Sequence, residues 1–399
     1  MQQVVTTCCF IISIKWCLLM KIVIAPDSYK ESLSAIEVAE AIETGFRQVF
    51  PDWQYVKCPT ADGGEGSVEA LVDASGGERV TVNVVGPLGE QHDAFYGVSG
   101  DKRTAFIEMA AASGIELIPS AKRDPLVATS YGTGQLIEHA LNQGIRHLIL
   151  CIGGSATNDA GCGMLQALGV SFTDASGIEL PFGGAALQEL AHIDVSALDS
   201  RLKECLIEVA CDVSNPLTGS NGASHVYGPQ KGATVQMVEQ LDAALTRFAV
   251  IVEQDLQRKV SDIPGAGAAG GMGAAFYAFL DAELKPGIEI MTRAVGLEEL
   301  IKEADLVITG EGRLDSQSVN GKVPVGVASI AKRYDLPVIA IVGALGDDIE
   351  AVYSHGIDAA FDSVYKVTTF EEIVAQAKFN VIRSAHNIAA ALKVGQQLC

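Results

Sequence analysis

Hydrophobic and polar positions near the start of the chain alternate between the periods of strands and of helices. Residues 21–25 form a near-continuous apolar run, as expected for a strand buried on both faces. A helix is predicted next, because Ser34 and Glu37 have the capping-box spacing and apolar residues follow at helical intervals. A second strand at 55–58 and a second helix at 67–74 continue the pattern. Strands and helices in turn, with short connections, predict a parallel doubly wound sheet.

The middle of the chain has a different rhythm. Short apolar runs follow one another there without helices between them, at residues 79–85, 94–98 and 104–108. Gly-Pro and Gly-Asp turns separate these runs, which is typical of β-hairpins. After about residue 288 the alternation of strand and helix returns, and Thr368 and Glu371 are predicted to cap one long final helix.

The two rhythms predict an α/β protein with a discontinuous first domain. That domain would comprise residues 20–86 and 288–399, and residues 87–287 would form a second, inserted α/β domain. Residues 1–19 are apolar and rich in Cys, but they lack a basic n-region and a small-residue cleavage site. We therefore interpret them as an upstream extension and not as a signal peptide.

Composition and charge narrow the classes of function. The 399 residues are 48% hydrophobic and 19% charged, which is a globular composition. A net charge of −21 without a basic stripe argues against a nucleic-acid partner. Apolar runs of strand length only, from residue 20 onward, argue against a membrane partner. Nine Cys residues are scattered without a C-x-x-C pair, which favours reduced thiols and a cytoplasmic protein.

Loops rich in Gly, Asp, Ser and Thr carry the candidate chemistry, and each lies at or near an apolar run. They span residues 25–30, 61–66, 152–159, 264–273 and 309–322. Glycines allow backbone N–H groups to approach a phosphate closely, and a following helix start adds partial positive charge. Aspartates beside them can hold a divalent metal or accept a proton. Together these loops predict phosphate chemistry.

Asp27, Ser28 and Lys30 directly follow the first strand, where open α/β sheets bind their ligands. Lys30 is a candidate contact for a phosphate or carboxylate, and Asp27 is a candidate ligand of a metal or hydroxyl. The alternative is that Asp27 and Ser28 only form a local turn. Asp62, at the end of the second strand, is a candidate metal ligand, as is Asp212 after the strand predicted at 204–211.

The loop after residue 309 offers a second set of substrate contacts. Arg313 presents a bidentate fork for a substrate carboxylate, with Glu311 beside it. Asp315 is the candidate catalytic base, and Asp212 is the other candidate for that role. The alternative is that Arg313 and Asp315 form a surface ion pair of little energetic weight.

Two glycine loops are candidate nucleotide contacts. In the first, free N–H groups, hydroxyls and an amide converge, and the candidates are Gly153, Gly154, Ser155, Thr157 and Asn158. Asp159 is a candidate Mg²⁺ ligand there, although this cluster could equally serve as a helix cap. In the second loop the candidates are Gly265, Gly267, Gly270 and Gly271. This loop matches G-x-G-x-x-G, but no βαβ unit surrounds it, and the Walker pattern is absent.

Nine segments, in this order, resemble the bacterial glycerate kinase family of the glycerate 2-kinase type. They are KIVIAPDSYKESLSA, ADGGEGSVEA, FIEMAAASG, RDPL, CIGGSATNDAG, ACDVSNPL, YGPQKGA, PGAGAAGGMGAA and VITGEGRLDSQS. The resemblance extends from residue 20 to the C-terminus. It implies a flavodoxin-like domain interrupted by a second α/β domain. It also implies ATP- and Mg²⁺-dependent phosphorylation of D-glycerate in glycerate, glyoxylate or aldarate breakdown.

We therefore expect a cytoplasmic kinase that forms 2-phosphoglycerate, with ATP and D-glycerate as its small-molecule partners. The residues alone leave open a glycerate 3-kinase that forms 3-phosphoglycerate, and they leave open a homo-oligomer. Two alternatives belong to other classes. An NAD(P)-dependent oxidoreductase would use the glycine stretch at 265–270. A non-catalytic metabolite-binding protein would bind glycerate without turnover.

Overall fold

The computed structural model describes residues 19–64, 66–319 and 321–398. In chain order the strands are β1 Lys21–Pro26, β2 Gln54–Lys57, β3 Glu78–Val85, β4 Gln91–Val98, β5 Thr104–Glu108, β6 His147–Cys151, β7 Ser171–Thr173, β8 His192–Asp194, β9 Leu206–Ala210, β10 Glu283–Lys285, β11 Leu306–Gly310, β12 Arg313–Leu314, β13 Val338–Val342, β14 Ala344–Leu345 and β15 Ala359–Asp362. The helices are α1 Ala35–Arg47, α2 Ser67–Ser75, α3 Ala110–Ser113, α4 Tyr131–Asn142, α5 Cys162–Ala167, α6 Ala223–Tyr227, α7 Val235–Leu256, α8 Ala268–Leu280, α9 Gly287–Ala294, α10 Leu297–Ile301, α11 Val323–Lys332, α12 Glu350–Tyr353, α13 Phe370–Ala375 and α14 Ala377–Leu398.

The chain divides into two compact units. Unit 1 comprises the residues up to Asp62 and those from Met291 onward, and unit 2 comprises the residues from Gly63 to Ile290. The sequence placed residues 63–86 in the outer domain, whereas their contacts assign them to unit 2. The reason is sheet pairing, because β3 is hydrogen-bonded along its length to β4 of the same unit. The predicted extension at residues 1–19 lies, except for Leu19, outside the described residues.

Unit 1 contains a five-stranded sheet in the order β15-β13-β11-β1-β2, and every pairing in it is parallel. Numbered within the unit, this is the 2-1-3-4-5 order of flavodoxin-like folds, so the predicted fold class is confirmed. The chain reverses its direction of progress across the sheet between β1 and β11. Buried residues of both strands, such as Ile24 and Ile308, form the core with α1 and α14. A ligand crevice is expected at the carboxyl ends of β1 and β11.

Local sequence signals account for much of unit 1. Ser34 caps α1 and Glu37 completes the capping box, as predicted. The prediction of one capped final helix was wrong. The cap is Thr369, which accepts from the Glu372 N–H, and α13 ends before α14 begins as a separate helix.

Unit 2 contains a six-stranded mixed sheet in the order β10-β9-β6-β5-β4-β3. The strands from β10 to β5 are parallel, and β4 and β3 complete the predicted antiparallel hairpins. The loops after β5, β6 and β9 therefore leave the same edge of this sheet. Within the described residues, no helix combines the length and the apolar character that a membrane crossing needs.

Candidate functional site

In unit 1 the acidic candidates converge at the switch point of the sheet. Pro26 and Gly310 are partners in the parallel pairing of β1 with β11. The Asp27 N–H donates to the Gly310 carbonyl at 2.8 Å, so Asp27 and Glu311 leave adjacent strands side by side. The predicted residues that follow β1 and β11 thus lie at one edge of one sheet, where this fold class binds ligands.

Like charges and burial perturb Asp27. Burial and the neighbouring Asp62 and Glu311 carboxylates raise the pKa of Asp27 to about 7, although Ser28 donates its N–H to Oδ1 at 2.6 Å. Burial also raises the pKa of Glu311, whose charged form Ser318 and Lys322 stabilise. Three carboxyl groups therefore share one electrostatic environment, which disfavours the charged form of Asp27.

The loop after β11 places its remaining candidates closer to the surface. Arg313 is 70% exposed, and its Nε lies 3.3 Å from Oδ2 of Asp315. Lys322 Nζ lies 3.5 Å from Oε2 of Glu311 and 4.0 Å from Oδ1 of Asp315. Asp315 thus lies between two cations, whose ion pairs occupy its carboxylate oxygens. Lys30 is exposed near the start of α1.

The predicted metal ligands are not assembled as one set. Asp62 belongs to unit 1, whereas Asp159 and Asp212 belong to unit 2. Across the parts of the chain that the structure describes, no three His, Cys, Asp or Glu side chains are grouped to hold a metal ion. Mg²⁺ commonly needs only one or two protein carboxylates when substrate phosphates supply further oxygens. The Asp27, Asp62 and Glu311 cluster fits such a partial site, because a cation would relieve its mutual repulsion.

In unit 2 the loop after β6 begins with two exposed glycines, Gly153 and Gly154. A Cβ on Gly153 would meet nothing closer than the Gly63 carbonyl oxygen at 3.9 Å. Packing therefore does not require glycine at 153. The open backbone is consistent with close approach of an anionic ligand, as the sequence predicted.

Below these glycines lies Lys231, which the sequence analysis did not select. Its side chain is buried, and Nζ donates to Ser155 Oγ at 2.7 Å and to the Thr157 carbonyl at 2.6 Å. Burial lowers the pKa of Lys231 to about 7, against the opposing effect of Asp159. A lysine in a Gly-Pro-Gln-Lys-Gly turn is normally exposed, so the sequence gives no signal of this contact.

Asp159 caps the start of α5 in the structure. Its Oδ2 accepts from the Ser130 N–H at 2.9 Å and from the Ser130 hydroxyl at 2.8 Å. The Gly161 and Gly163 N–H groups donate to its two oxygens at 3.1 and 3.3 Å. These four bonds match the capping alternative better than the predicted Mg²⁺ role. Burial raises the pKa of Asp159, and these donors oppose that effect.

The glycines of the second loop have a packing explanation. Gly265, Gly267, Gly270 and Gly271 are all buried. A Cβ on Gly270 would lie 2.1 Å from the Thr157 carbonyl oxygen, and one on Gly267 would lie 2.2 Å from that of Pro216. Gly270 also has a φ of +69°. Close packing therefore accounts for these glycines, and Gly270 packs against the 153–159 loop. Their contact with the nucleotide stays a prediction.

Two further acidic residues lie at the carboxyl edge of the unit 2 sheet. Asp212 is exposed after β9, and its Oδ1 accepts from the Gly287 N–H at 2.8 Å. Glu108 ends β5 and is buried, and its Oε1 accepts from the Val68 N–H at 2.8 Å near the start of α2. The sequence analysis missed Glu108. Its only signal was its place at the end of an apolar run.

Comparison with known proteins agrees with this arrangement. The model of the glycerate kinase family matches residues 22–393. The glycerate 2-kinase of Escherichia coli K12 is 59% identical over 378 residues, which cover 95% of this chain and 99% of that protein. The glycerate kinase of Bacillus subtilis 168 is 55% identical over 379 residues, which cover 95% of this chain and 99% of that protein.

One solved structure is also similar. It comes from Salmonella typhimurium LT2 and carries a provisional description as glycerate kinase 2. It is 60% identical, with a TM-score of 0.89, and the match covers 95% of this chain and 100% of that one. This agreement extends to both the interrupted unit and the unit inserted into it.

Proposed function

Because the chain belongs to the glycerate kinase family and is a glycerate-phosphorylating enzyme, we propose that it uses ATP to convert D-glycerate to 2-phosphoglycerate. The 2-position is supported by the relative from Escherichia coli that is named glycerate 2-kinase. The chemistry is supported by one observation above all. A carboxyl group with a pKa near 7, Asp27, lies at the switch point of a flavodoxin-like sheet.

Asp27 is the base in this proposal. General bases work best when their pKa lies near the operating pH, and Asp27 meets that condition. Asp315, the base expected from the sequence, is instead paired with Arg313 and Lys322. We assign Asp315 to orienting Arg313. The proton of the 2-hydroxyl passes to an Asp27 oxygen as that hydroxyl oxygen attacks the γ-phosphorus. The bond from the γ-phosphorus to the β–γ bridging oxygen breaks in the same transfer, and ADP leaves with that oxygen.

The glycerate carboxylate is held by the cations of unit 1. Arg313 is exposed and has a planar fork that matches a carboxylate, and Lys30 is an exposed cation in the loop after β1. Ser28 and Glu311 lie beside Asp27. In this proposal both form hydrogen bonds with the substrate hydroxyls. Asp62 would be the residue that holds Mg²⁺, which would supply neutralisation of the charge that develops on the transferred phosphoryl group.

The phosphates of ATP are bound by unit 2. Gly153 and Gly154 expose backbone N–H groups at the end of β6, and Ser155, Thr157 and Asn158 continue that loop. Asp212 lies after the neighbouring strand β9 and stays a candidate metal ligand of unit 2. The glycines from 265 to 271 act by supporting this loop.

An assay of ADP release with D- and L-glycerate tests the reaction, and phosphorus NMR identifies the product. We expect turnover with the D-enantiomer, dependence on Mg²⁺, and a single resonance from 2-phosphoglycerate. A resonance from 3-phosphoglycerate would overturn the assigned position. Absence of ADP release with both enantiomers would overturn the kinase assignment.

The proposal includes a cellular setting. We place the reaction in the cytoplasm, in the breakdown of glycerate, glyoxylate or aldarates. The described thiols of Cys58, Cys151, Cys162, Cys205 and Cys211 are free, which is consistent with a reducing compartment. Deletion of the gene should abolish growth on glycerate as carbon source while growth on glucose continues.

A further inference from the structure

We propose that Lys231 is a positioning residue that holds the Ser155 hydroxyl as a hydrogen-bond donor to a phosphate group of the nucleotide. The inference rests on the proposed function, since it assumes that Gly153 and Gly154 meet the phosphates. Lys231 lies in a turn that is distant from Ser155 in the sequence. Its role is to determine which atom donates in the hydrogen bond between the two residues.

The position of Lys231 is built into the fold of unit 2. Lys231 ends the short 3₁₀ turn Pro229–Lys231, and Gly232 follows with a φ of +94°. A Cβ on Gly232 would lie 2.6 Å from the Arg123 carbonyl oxygen. Only glycine fits this left-handed, crowded position, so the chain turns there and leaves the lysine side chain buried.

The ammonium determines which way the Ser155 hydroxyl bonds. In its ammonium form lysine has donors only, so Nζ in that form donates to Ser155 Oγ across 2.7 Å. The hydroxyl proton is then available for another acceptor. Within the described residues Ser155 Oγ makes no other hydrogen bond, and the adjoining Gly154 is exposed. A phosphate oxygen above Gly153 and Gly154 supplies the acceptor that this proton lacks.

The second contact of Lys231 stabilises the loop itself. Nζ donates to the Thr157 carbonyl at 2.6 Å, so one ammonium group links two residues of the loop from beneath. Burying this charge is costly, as the depressed pKa of Lys231 shows, and the nearby Asp159 carboxylate offsets part of the cost. An apolar side chain could fill the same volume without that cost, so a charge here is better explained by an anionic ligand than by stability alone.

Calorimetric titration with ADP tests the inference directly. The variants are Ser155→Ala, Ser155→Thr, Lys231→Met and the double variant Ser155→Ala with Lys231→Met. Loss of a hydrogen bond to a charged group should weaken ADP binding about tenfold in Ser155→Ala. Ser155→Thr keeps the hydroxyl and should retain most of the affinity. The double variant should bind ADP no more weakly than Lys231→Met, because both changes remove one shared interaction.

Steady-state kinetics separates positioning from general damage. Ser155→Ala and Lys231→Met should each raise KM for ATP and leave KM for glycerate within about twofold. Lys203→Met, at an exposed position, serves as the control. Ser155→Ala with wild-type affinity for ADP would overturn the inference, as would multiplicative losses in the double variant. If Lys231→Met does not fold, Ser155→Ala and Ser155→Thr still decide. Wild-type protein that fails to bind ADP would instead overturn the proposed function.

Discussion

Each unit buries a small group of charges, and the two groups are balanced differently. In unit 1, Asp27, Asp62 and Glu311 are all carboxyl groups, and burial together with the other two carboxylates raises the pKa of Asp27. In unit 2, Lys231 and Asp159 carry opposite charges, and each makes several hydrogen bonds. Like charges that lie close together are costly, and a ligand, metal or proton reduces that cost. We infer that the first group lies at the reacting atoms and that the second supports a binding loop.

Among the variants that test this comparison, Asp27→Asn should have the largest effect on activity. If Asp27 is the base, kcat should fall by about 10²- to 10⁴-fold while ADP still binds unit 2 normally. Wild-type kcat/KM should rise with pH and level off above about pH 7, since Asp27 must be ionised to accept a proton. Steady-state kinetics from about pH 5.5 to about pH 9 measures both the fall in kcat and the pH dependence of kcat/KM.

Two matched variants sharpen the interpretation of Asp27. Asp305→Asn changes a partly buried aspartate just before β11, at the other end of the strand, and should change kcat by less than about twofold. Asp315→Asn should lower kcat less than Asp27→Asn does. The assignment fails if Asp27→Asn turns over normally, or if Asp315→Asn is the more damaging of the two.

Substitutions in the two glycine loops of unit 2 should affect different properties, namely stability in one loop and nucleotide binding in the other. Gly270→Ala forces a Cβ into a left-handed residue 2.1 Å from a carbonyl oxygen, and we expect a loss of about 3 kcal/mol in unfolding free energy. Gly153→Ala meets no atom closer than 3.9 Å, so its stability should stay within about 0.5 kcal/mol of wild type. Its KM for ATP should rise about tenfold.

Urea denaturation and steady-state kinetics on the same two variants make the measurement. If Gly153→Ala is the destabilised variant, or if Gly270→Ala raises KM for ATP at unchanged stability, the two loops have been assigned the wrong way round.

Arg313→Gln should raise KM for glycerate about tenfold with little change in KM for ATP. The change removes the planar guanidinium that binds the glycerate carboxylate in this proposal. Arg333 is the matched control. Like Arg313, it is an exposed arginine 3.3 Å from an acidic partner, which in its case is Glu298. Arg333→Gln should leave both KM values unchanged. Equal effects of the two changes would support the alternative that Arg313 is only a surface ion pair.

The smallest expected effect concerns stability. The pKa of Asp27 is raised in the folded protein, so its ionised form costs stability above pH 7, and that cost disappears as the pH falls toward 3.8. Asp27→Asn should therefore be more stable than wild type by about 1–2 kcal/mol at pH 8, with a difference that shrinks toward pH 4. Urea denaturation with chelator and without nucleotide measures it. A constant difference across pH would show that Asp27 is not in a carboxylate cluster.

Much of the fold could be predicted from the sequence because its signals are local. The capping box of Ser34 and Glu37 and the apolar run of β1 each depend on neighbours in the chain. The same holds for the hairpin of β3 and β4, which the Gly-Pro turn between them predicts. The sequence predicted that the first segment of the outer domain ends at residue 86, whereas unit 1 is interrupted after Asp62. Membership in a unit depends on which distant strands pair, and local patterns do not encode that pairing.

For the site, the sequence by itself determined which residues could perform phosphate chemistry and in which loops they occur. Only the tertiary structure decided which of them act together. Asp27 and Glu311 meet because β1 and β11, which are far apart in the sequence, pair in the sheet. Burial, with the Asp62 and Glu311 carboxylates nearby, raises the pKa of Asp27. Lys231 meets Ser155 across 76 residues. Charge, burial and close approach depend on distances in space, which local sequence patterns do not encode.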